Sequence, residues 1–264
     1  MKAALISPTP FLEHIQPFSD YHLILTHKVI YDRAYCDFYA KRSKAGDFII
    51  LDNSAVERNA RSMPMKNIVL AAVLTKPTVI VMPDYLFDSK RTLKEIENAF
   101  RAPSFRFLKR VLPQVQLCAV VQGVDADDWM ECFYVLNSRK NGIDILGIPM
   151  ITSELFGSRC AVLDKIARRI TKPVHLFGFW HKQPLGDVLR EKAYNFVLGI
   201  DTSKPVKLAM QGKTLREWAK VDRDKGFMDR SHNSVNLELL QANCRGFIEL
   251  CKVQEGGSDE LHTL

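Results

Sequence analysis

The sequence predicts a (β/α)8 TIM-type barrel with a helical appendage at its C-terminus, and three observations predict it. Eight short apolar runs, rich in β-branched residues, are spread between Ala3 and Asp201. Helical patterns lie between most of them, and strand–helix alternation of this kind implies a parallel sheet. Several runs stop abruptly at Asp or Gln. In parallel α/β folds, that strand edge is where chemistry is done.

The first two strand-like runs are Ala3–Ser7 and His22–Thr26. The link between them is short and carries Pro8, Pro10 and Pro17, so the first unit is irregular. Val29–Lys44 has a helical pattern. Gly46 then introduces Phe48–Asp52, apolar on both faces and therefore a buried strand, which delivers Asp52 at its end. Pro64–Lys76 reads as a helix with proline near its first turn. Val79–Asp84 ends in Met82-Pro83-Asp84. A long basic helix is expected over Ser89–Arg110, after Asp88. Leu117–Gln122 follows, with Gly123 behind it. Asp125–Arg139 opens with an acidic first turn, which suits a helix dipole. Ile145–Met150, Ser153–Ile170, Val174–Phe179, Pro184–Tyr194 and Phe196–Asp201 complete the alternation.

After Asp201 the pattern changes. Lys204–Asp224 holds a short helix and Asn233–Cys251 an amphipathic one. Residues 1–203 are therefore expected to form the barrel and 204–253 a helical extension packed on it. The polar residues 254–264 are expected to be disordered.

Composition narrows the function classes. A hydrophobic content of 47% supports a sizeable core in a globular protein. No apolar run is long enough to cross a membrane, and the N-terminal apolar stretch is too short for a signal peptide. The six cysteines are scattered without a C-x-x-C pair. Reduced thiols and a cytoplasmic location are the expectation. With 37 basic and 30 acidic residues the net charge is +7, a mild pull toward a polyanion.

Each candidate site residue has two readings at this level. Asp201, before Thr202-Ser203-Lys204-Pro205, is either a helix N-cap or a carboxylate that attacks a sugar carbon. Asp52 and Asp84 suit acid/base chemistry or recognition of a base with N–H donors, but they also suit loop carboxylates satisfied by backbone N–H groups. Gln122 offers a donor and an acceptor, and Gly123 lets a ligand approach the backbone; taken alone, the pair reads rather as a strand-end turn. Gly147-Ile148-Pro149 and Gly178-Phe179-Trp180-His181 read as turns, and His175 as a satisfied core histidine. His181 stays open between a loop and a site residue. Cys244 and Cys251 lie seven apart on one helix, without a third ligand nearby, so no metal is expected.

Taken together, six segments resemble the tRNA-guanine transglycosylase superfamily: Leu51-Asp52-Asn53-Ser54-Ala55-Val56-Glu57, Met82-Pro83-Asp84, Val121-Gln122-Gly123, Leu146-Gly147-Ile148-Pro149, Pro173-Val174-His175-Leu176-Phe177-Gly178 and Ile200-Asp201-Thr202-Ser203. The similarity is greater to the small relatives that insert 7-deazaguanines into DNA, found in phages and bacterial modification islands. The resemblance implies a pentosyltransferase. Asp201 then attacks the sugar C1′ and Asp52 handles protons on the leaving and entering bases. Asp84 reads the guanine-like edge, and Gln122 and Gly123 contact the base carbonyl. Asn53, beside Asp52, joins the base-binding set. Gly147, with Ile148, lies at the 7-substituent, and Phe177 supplies an apolar surface under the base.

Two departures matter. The tRNA enzymes carry Asp-Ser-Gly-Gly-Phe-Gln, whose Phe stacks on the base; Val56 stands at that spacing here, and Tyr85 is a substitute to test. Their C-terminal zinc site, C-x-C-x-x-C with a His, has no counterpart, which points away from tRNA. The expectation is exchange of guanine in DNA, with tRNA as runner-up, for a preQ0-type 7-deazaguanine, without cofactor. Lys204, Lys207, Lys213 and Arg216 are expected to bind the polynucleotide, with Arg106, Lys109 and Arg110 as further contacts. A non-catalytic binding subunit and an unrelated barrel hydrolase are the rival readings, and a homodimer is compatible with each.

Overall fold

The computed structural model describes residues 1–138, 141–179, 184–222, 227–229 and 235–252. Its eight strands are β1 (Lys2–Leu5), β2 (Tyr21–Leu25), β3 (Phe48–Asp52), β4 (Val79–Val81), β5 (Gln116–Val120), β6 (Ile145–Pro149), β7 (Val174–Phe177) and β8 (Val197–Thr202). From β2 to β8 each strand pairs in parallel with the next, and β8 pairs in parallel with β1. The result is a nearly closed (β/α)8 barrel. Among the described residues β1 and β2 lie side by side without a ladder. Ser19 spans that seam: its hydroxyl donates to the Ala3 carbonyl at 2.8 Å and accepts from the Tyr21 N–H at 3.1 Å.

Side chains alternate between two apolar layers, as strand geometry requires. Ala4, Tyr21, Leu23, Ile50, Val79, Val81, Cys118, Val120 and Ile145 fill the barrel interior. Ile24, Ile49, Leu51, Ile80, Leu117, Leu146, Leu176 and Ile200 face outward into the helices. The inward register of Ile50 leads to Asp52, and that of Cys118 and Val120 leads to Gln122. Polar groups thus continue the interior face at the end where the helices begin.

The helices are α1 (Leu12–Ile15), α2 (Thr26–Tyr31), α3 (Arg33–Lys44), α4 (Met65–Thr75), α5 (Ser89–Arg101), α6 (Pro103–Val111), α7 (Ala126–Asn137), α8 (Thr152–Phe156), α9 (Arg159–Ile166), α10 (Asp187–Glu191), α11 (Lys204–Met210) and α12 (Leu237–Cys251). Three stretches expected as single helices are broken. Asp32 is extended and caps α3 by accepting from the Tyr35 N–H. Pro103 divides the long basic helix, because it lacks an N–H and holds Ala102 in an extended conformation (φ −66°, ψ 139°). Gly157, at φ 80°, separates α8 from α9.

The C-terminal helices have a structural role that the sequence division hid. α11 follows β8 directly and is the helix of the eighth unit. α12 packs on α11, α10, β1 and the single turn of α1. It covers the side of the barrel that a short first unit leaves open. Trp180, His181 and residues 253–264, including the expected disordered tail, lie outside the described residues.

Candidate active site

Because all strands run parallel, their C-terminal ends form one mouth, where Asp52, Asp84, Gln122 and Asp201 meet. Asp84 is 3% exposed. Its Oδ1 accepts from Asn53 Nδ2 at 3.0 Å and its Oδ2 from Gln122 Nε2 at 2.8 Å. Asn53 also donates to the Met82 carbonyl at 2.8 Å. Burial pushes the Asp84 carboxyl up to about 6, against the pull of the two amides. Asn53 and Gln122 therefore fix this carboxylate, and Gln122 is itself held by the Phe87 N–H at 3.2 Å.

Asp52 closes β3 with a tight turn in which its Oδ2 accepts from the Ser54 N–H at 2.7 Å. Ser54 pays for that turn with φ 61°, unusual for a residue other than glycine. Burial raises the Asp52 pKa most, and the charges of Glu57, Asp84 and Asp201 raise it further. A carboxyl biased in this way toward its protonated form suits a proton donor. Glu57 belongs to the site although only its sequence segment pointed there. It is exposed over the residue as a whole, but protein crowds its carboxyl. That crowding raises its pKa, as does Asp201, while Lys207 lowers it.

Asp201 is 4% exposed. Its Oδ1 accepts from His175 Nε2 at 3.1 Å and from the Gly178 N–H at 3.1 Å. The capping alternative does not describe it: Ser203 occupies the N-cap of α11, and the Lys204 N–H binds the Thr202 hydroxyl. Gly178 sits at φ 68°, a left-handed turn that glycine takes without strain and that points its N–H at Asp201.

The remaining predicted base contacts divide by orientation. The Phe177 ring lies across Gly147, where a Cβ would come within 2.5 Å of a ring carbon. Ile148 is fully buried on the helix side of β6 and offers the mouth only its backbone. A Cβ on Gly123 would meet the Trp129 backbone at 2.5 Å, so this glycine admits the first turns of α7. At the stacking position Val56 is 68% exposed. The Tyr85 ring is covered by the Arg91 guanidinium, 3.8 Å from its centroid. Phe87 is an exposed aromatic with its backbone anchored on Gln122 and a φ of 65°.

The expected polynucleotide contacts are rearranged. Lys204 is buried, its ammonium 4.4 Å from the Trp218 ring centre, and burial lowers its pKa to about 8. Lys213 ties a loop together through the Lys220 carbonyl at 2.7 Å and Asp222 at 3.0 Å. Neither presents a free cation to a phosphate. Lys207 lies over the Phe227 ring and beside Glu57, and Arg216 is exposed. Arg106, Lys109 and Arg110 sit at the far end of the barrel: α6 runs into the start of β5, and Lys109 donates to the Pro113 and Val115 carbonyls there. Among the described residues, Arg58 and Arg61 after β3, with Lys90 and Arg91 in the first turn of α5, are exposed cations on the mouth side.

Among the described residues no group of three or more His, Cys, Asp or Glu is arranged to hold a metal ion. Cys244 and Cys251 are buried in the core and have no such neighbours. No protein-family model matches the chain, and no curated protein matches it either.

Proposed function

We propose that this protein exchanges guanine in a polynucleotide, with DNA the favoured substrate, for a 7-deazaguanine. One observation supports the reading most: three carboxyls in different states share one barrel mouth. Asp52 is biased toward its protonated form, Asp84 is fixed by two amides, and Asp201 has one oxygen engaged by two donors. Exchange needs these three tasks. The target nucleotide leaves the stack so that C1′ is reachable. Asp201 attacks C1′, the glycosidic bond breaks toward the base, and Asp52 gives that base its proton. Asp84 accepts from the N–H edge of a guanine-like base. Asp52 then takes a proton from the incoming 7-deazaguanine, whose ring nitrogen attacks C1′ and releases Asp201.

The test is the Asp201→Asn variant, together with nucleoside mass spectrometry. Wild type trapped with oligonucleotide and denatured should carry a covalent adduct, and Asp201→Asn should carry none while keeping its fold and its base affinity. DNA and tRNA from cells with and without the protein identify the polymer. Near-normal exchange by Asp201→Asn would sink the mechanism. A deazaguanine appearing only in tRNA would move the substrate to RNA.

A further inference from the structure

A chain of three buried side chains crosses the barrel below the mouth. Tyr21, from β2, places its hydroxyl 2.8 Å from His175 Nδ1. His175, from β7, places Nε2 3.1 Å from Asp201 Oδ1. Tyr21 and His175 are 2% and 0% exposed. The Tyr21 ring stacks on Phe48, with ring centres 5.1 Å apart, and passes over Gly199, where a Cβ would lie 2.7 Å from it. The His175 and Phe177 rings are nearly perpendicular, with centres 4.6 Å apart.

The protons in this chain follow from its chemistry. The Asp201 carboxylate oxygen can only accept, so the proton of a neutral His175 imidazole sits on Nε2 and Nδ1 is left as an acceptor. The Tyr21 hydroxyl, which burial and the nearby Cys118 and Asp201 keep protonated, donates to that Nδ1. The Nε2 proton points at Asp201. The Gly178 N–H donates to the same oxygen. Both donors converge on Oδ1, and no hydrogen bond to Oδ2 occurs among the described residues.

We infer that His175, locked in its Nε2–H tautomer by Tyr21, is a positioning residue that makes Oδ2 of Asp201 the attacking oxygen. This rests on the exchange reading above. When Oδ2 bonds to C1′, Oδ1 becomes the ester carbonyl. When the incoming base displaces the ester, charge returns to the carboxylate, and the His175 and Gly178 donors stabilise it on Oδ1. The same pair therefore orients the first step and assists the second.

Two measurements test this. In protein labelled with ¹⁵N-histidine, His175 should show a protonated Nε2 and an unprotonated Nδ1 at neutral pH, and Tyr21→Phe should change that pattern. An Nδ1–H tautomer in wild type would overturn the assignment without any reference to activity. In single-turnover trapping, His175→Ala should form the Asp201 adduct about 10- to 100-fold more slowly at saturating oligonucleotide, with oligonucleotide affinity unchanged, the penalty typical of a misplaced reacting group. His175→Gln, which can return an N–H near the Nε2 position, should recover part of the rate. Tyr21→Phe should slow adduct formation, because the imidazole is no longer confined to one tautomer. An unchanged rate in soluble, folded His175→Ala and Tyr21→Phe would overturn the positioning role alone. A wild type that forms no adduct with DNA or RNA would overturn the exchange reading instead.

Discussion

At the scale of single residues, the site works by giving like groups unlike environments. Asp84 moves from an ordinary 3.8 to about 6 in the folded protein, a difference worth about 3 kcal/mol. Its raised pKa means that this contribution to stability is complete below about pH 4 and is lost as pH rises through about 6. A base that donates to the carboxylate recovers part of the loss. Guanine should therefore bind tightly at pH 7, and its affinity should fall about tenfold per unit below pH 6; calorimetry at pH 5 and pH 7.5 giving equal affinities would remove Asp84 from recognition. Asp52 is raised first by burial and then by a neighbour. Glu57 is the first charge that raises it, so Glu57→Gln should lower the Asp52 pKa. In the proposed exchange protonated Asp52 is needed for the first displacement, and the alkaline limb of the trapping rate should move to lower pH in that variant. A limb that stays in place would leave Glu57 outside the proton chemistry. The strand-end placement of Asp52, Asp84 and Asp201 was legible in the sequence because a doubly buried strand that ends in a carboxylate interrupts its own apolar pattern. The Tyr21–His175 contact was not, since nothing local marks a partner 154 positions away.

At the scale of elements, the site depends on how β7 ends. Arg159, in α9, is fully buried and pairs with Glu191 of α10 at 2.7 and 3.0 Å. It also donates to the Gly178 carbonyl at 2.9 Å. One guanidinium thus joins two helices to the turn whose N–H reaches Asp201. Arg159→Met should cost about 3–5 kcal/mol, because it removes one partner of a buried ion pair. Adding Glu191→Leu should restore much of that stability, read by denaturant unfolding. Adduct formation should stay slow in the double variant, since the Gly178 turn still lacks its donor; full recovery of the rate would show that the pair is only structural. Helix breaks were partly legible. Pro103 and Gly157 carry a backbone reason that sequence displays, whereas the split at Asp32 depends on its side chain finding the Tyr35 N–H. The role of α12 was hidden for another reason: amphipathicity shows that a helix packs, but not on which side of the barrel it packs.

At the scale of the whole molecule, charge placement follows barrel polarity more than composition. The net charge of +7 is spread over both ends, and only cations on loops after the strands can reach a polymer held at the mouth. Lys204, expected at the polymer, has its ammonium enclosed by Trp218 and Phe179. The α6 cations, expected there too, are carried by the topology to the opposite end. Arg58, Arg61, Lys90, Arg91 and Arg216 are exposed, and the first four rise beside Asp52 and Asp84. Five phosphate contacts to a locally unstacked strand imply a slope of about −3.5 in log affinity against log salt, or roughly 100-fold weaker binding at 200 mM than at 50 mM. Arg58→Ala/Arg61→Ala should make that slope shallower by about 1.4 and weaken binding to all sequences alike. Arg106→Ala/Arg110→Ala should leave the slope unchanged, because those side chains face away from the mouth. Filter binding of a single-stranded oligonucleotide over this salt range decides the matter: equal slopes for the two double variants would mean that the polymer does not cross the mouth, and Asp201 would then have no sugar to attack.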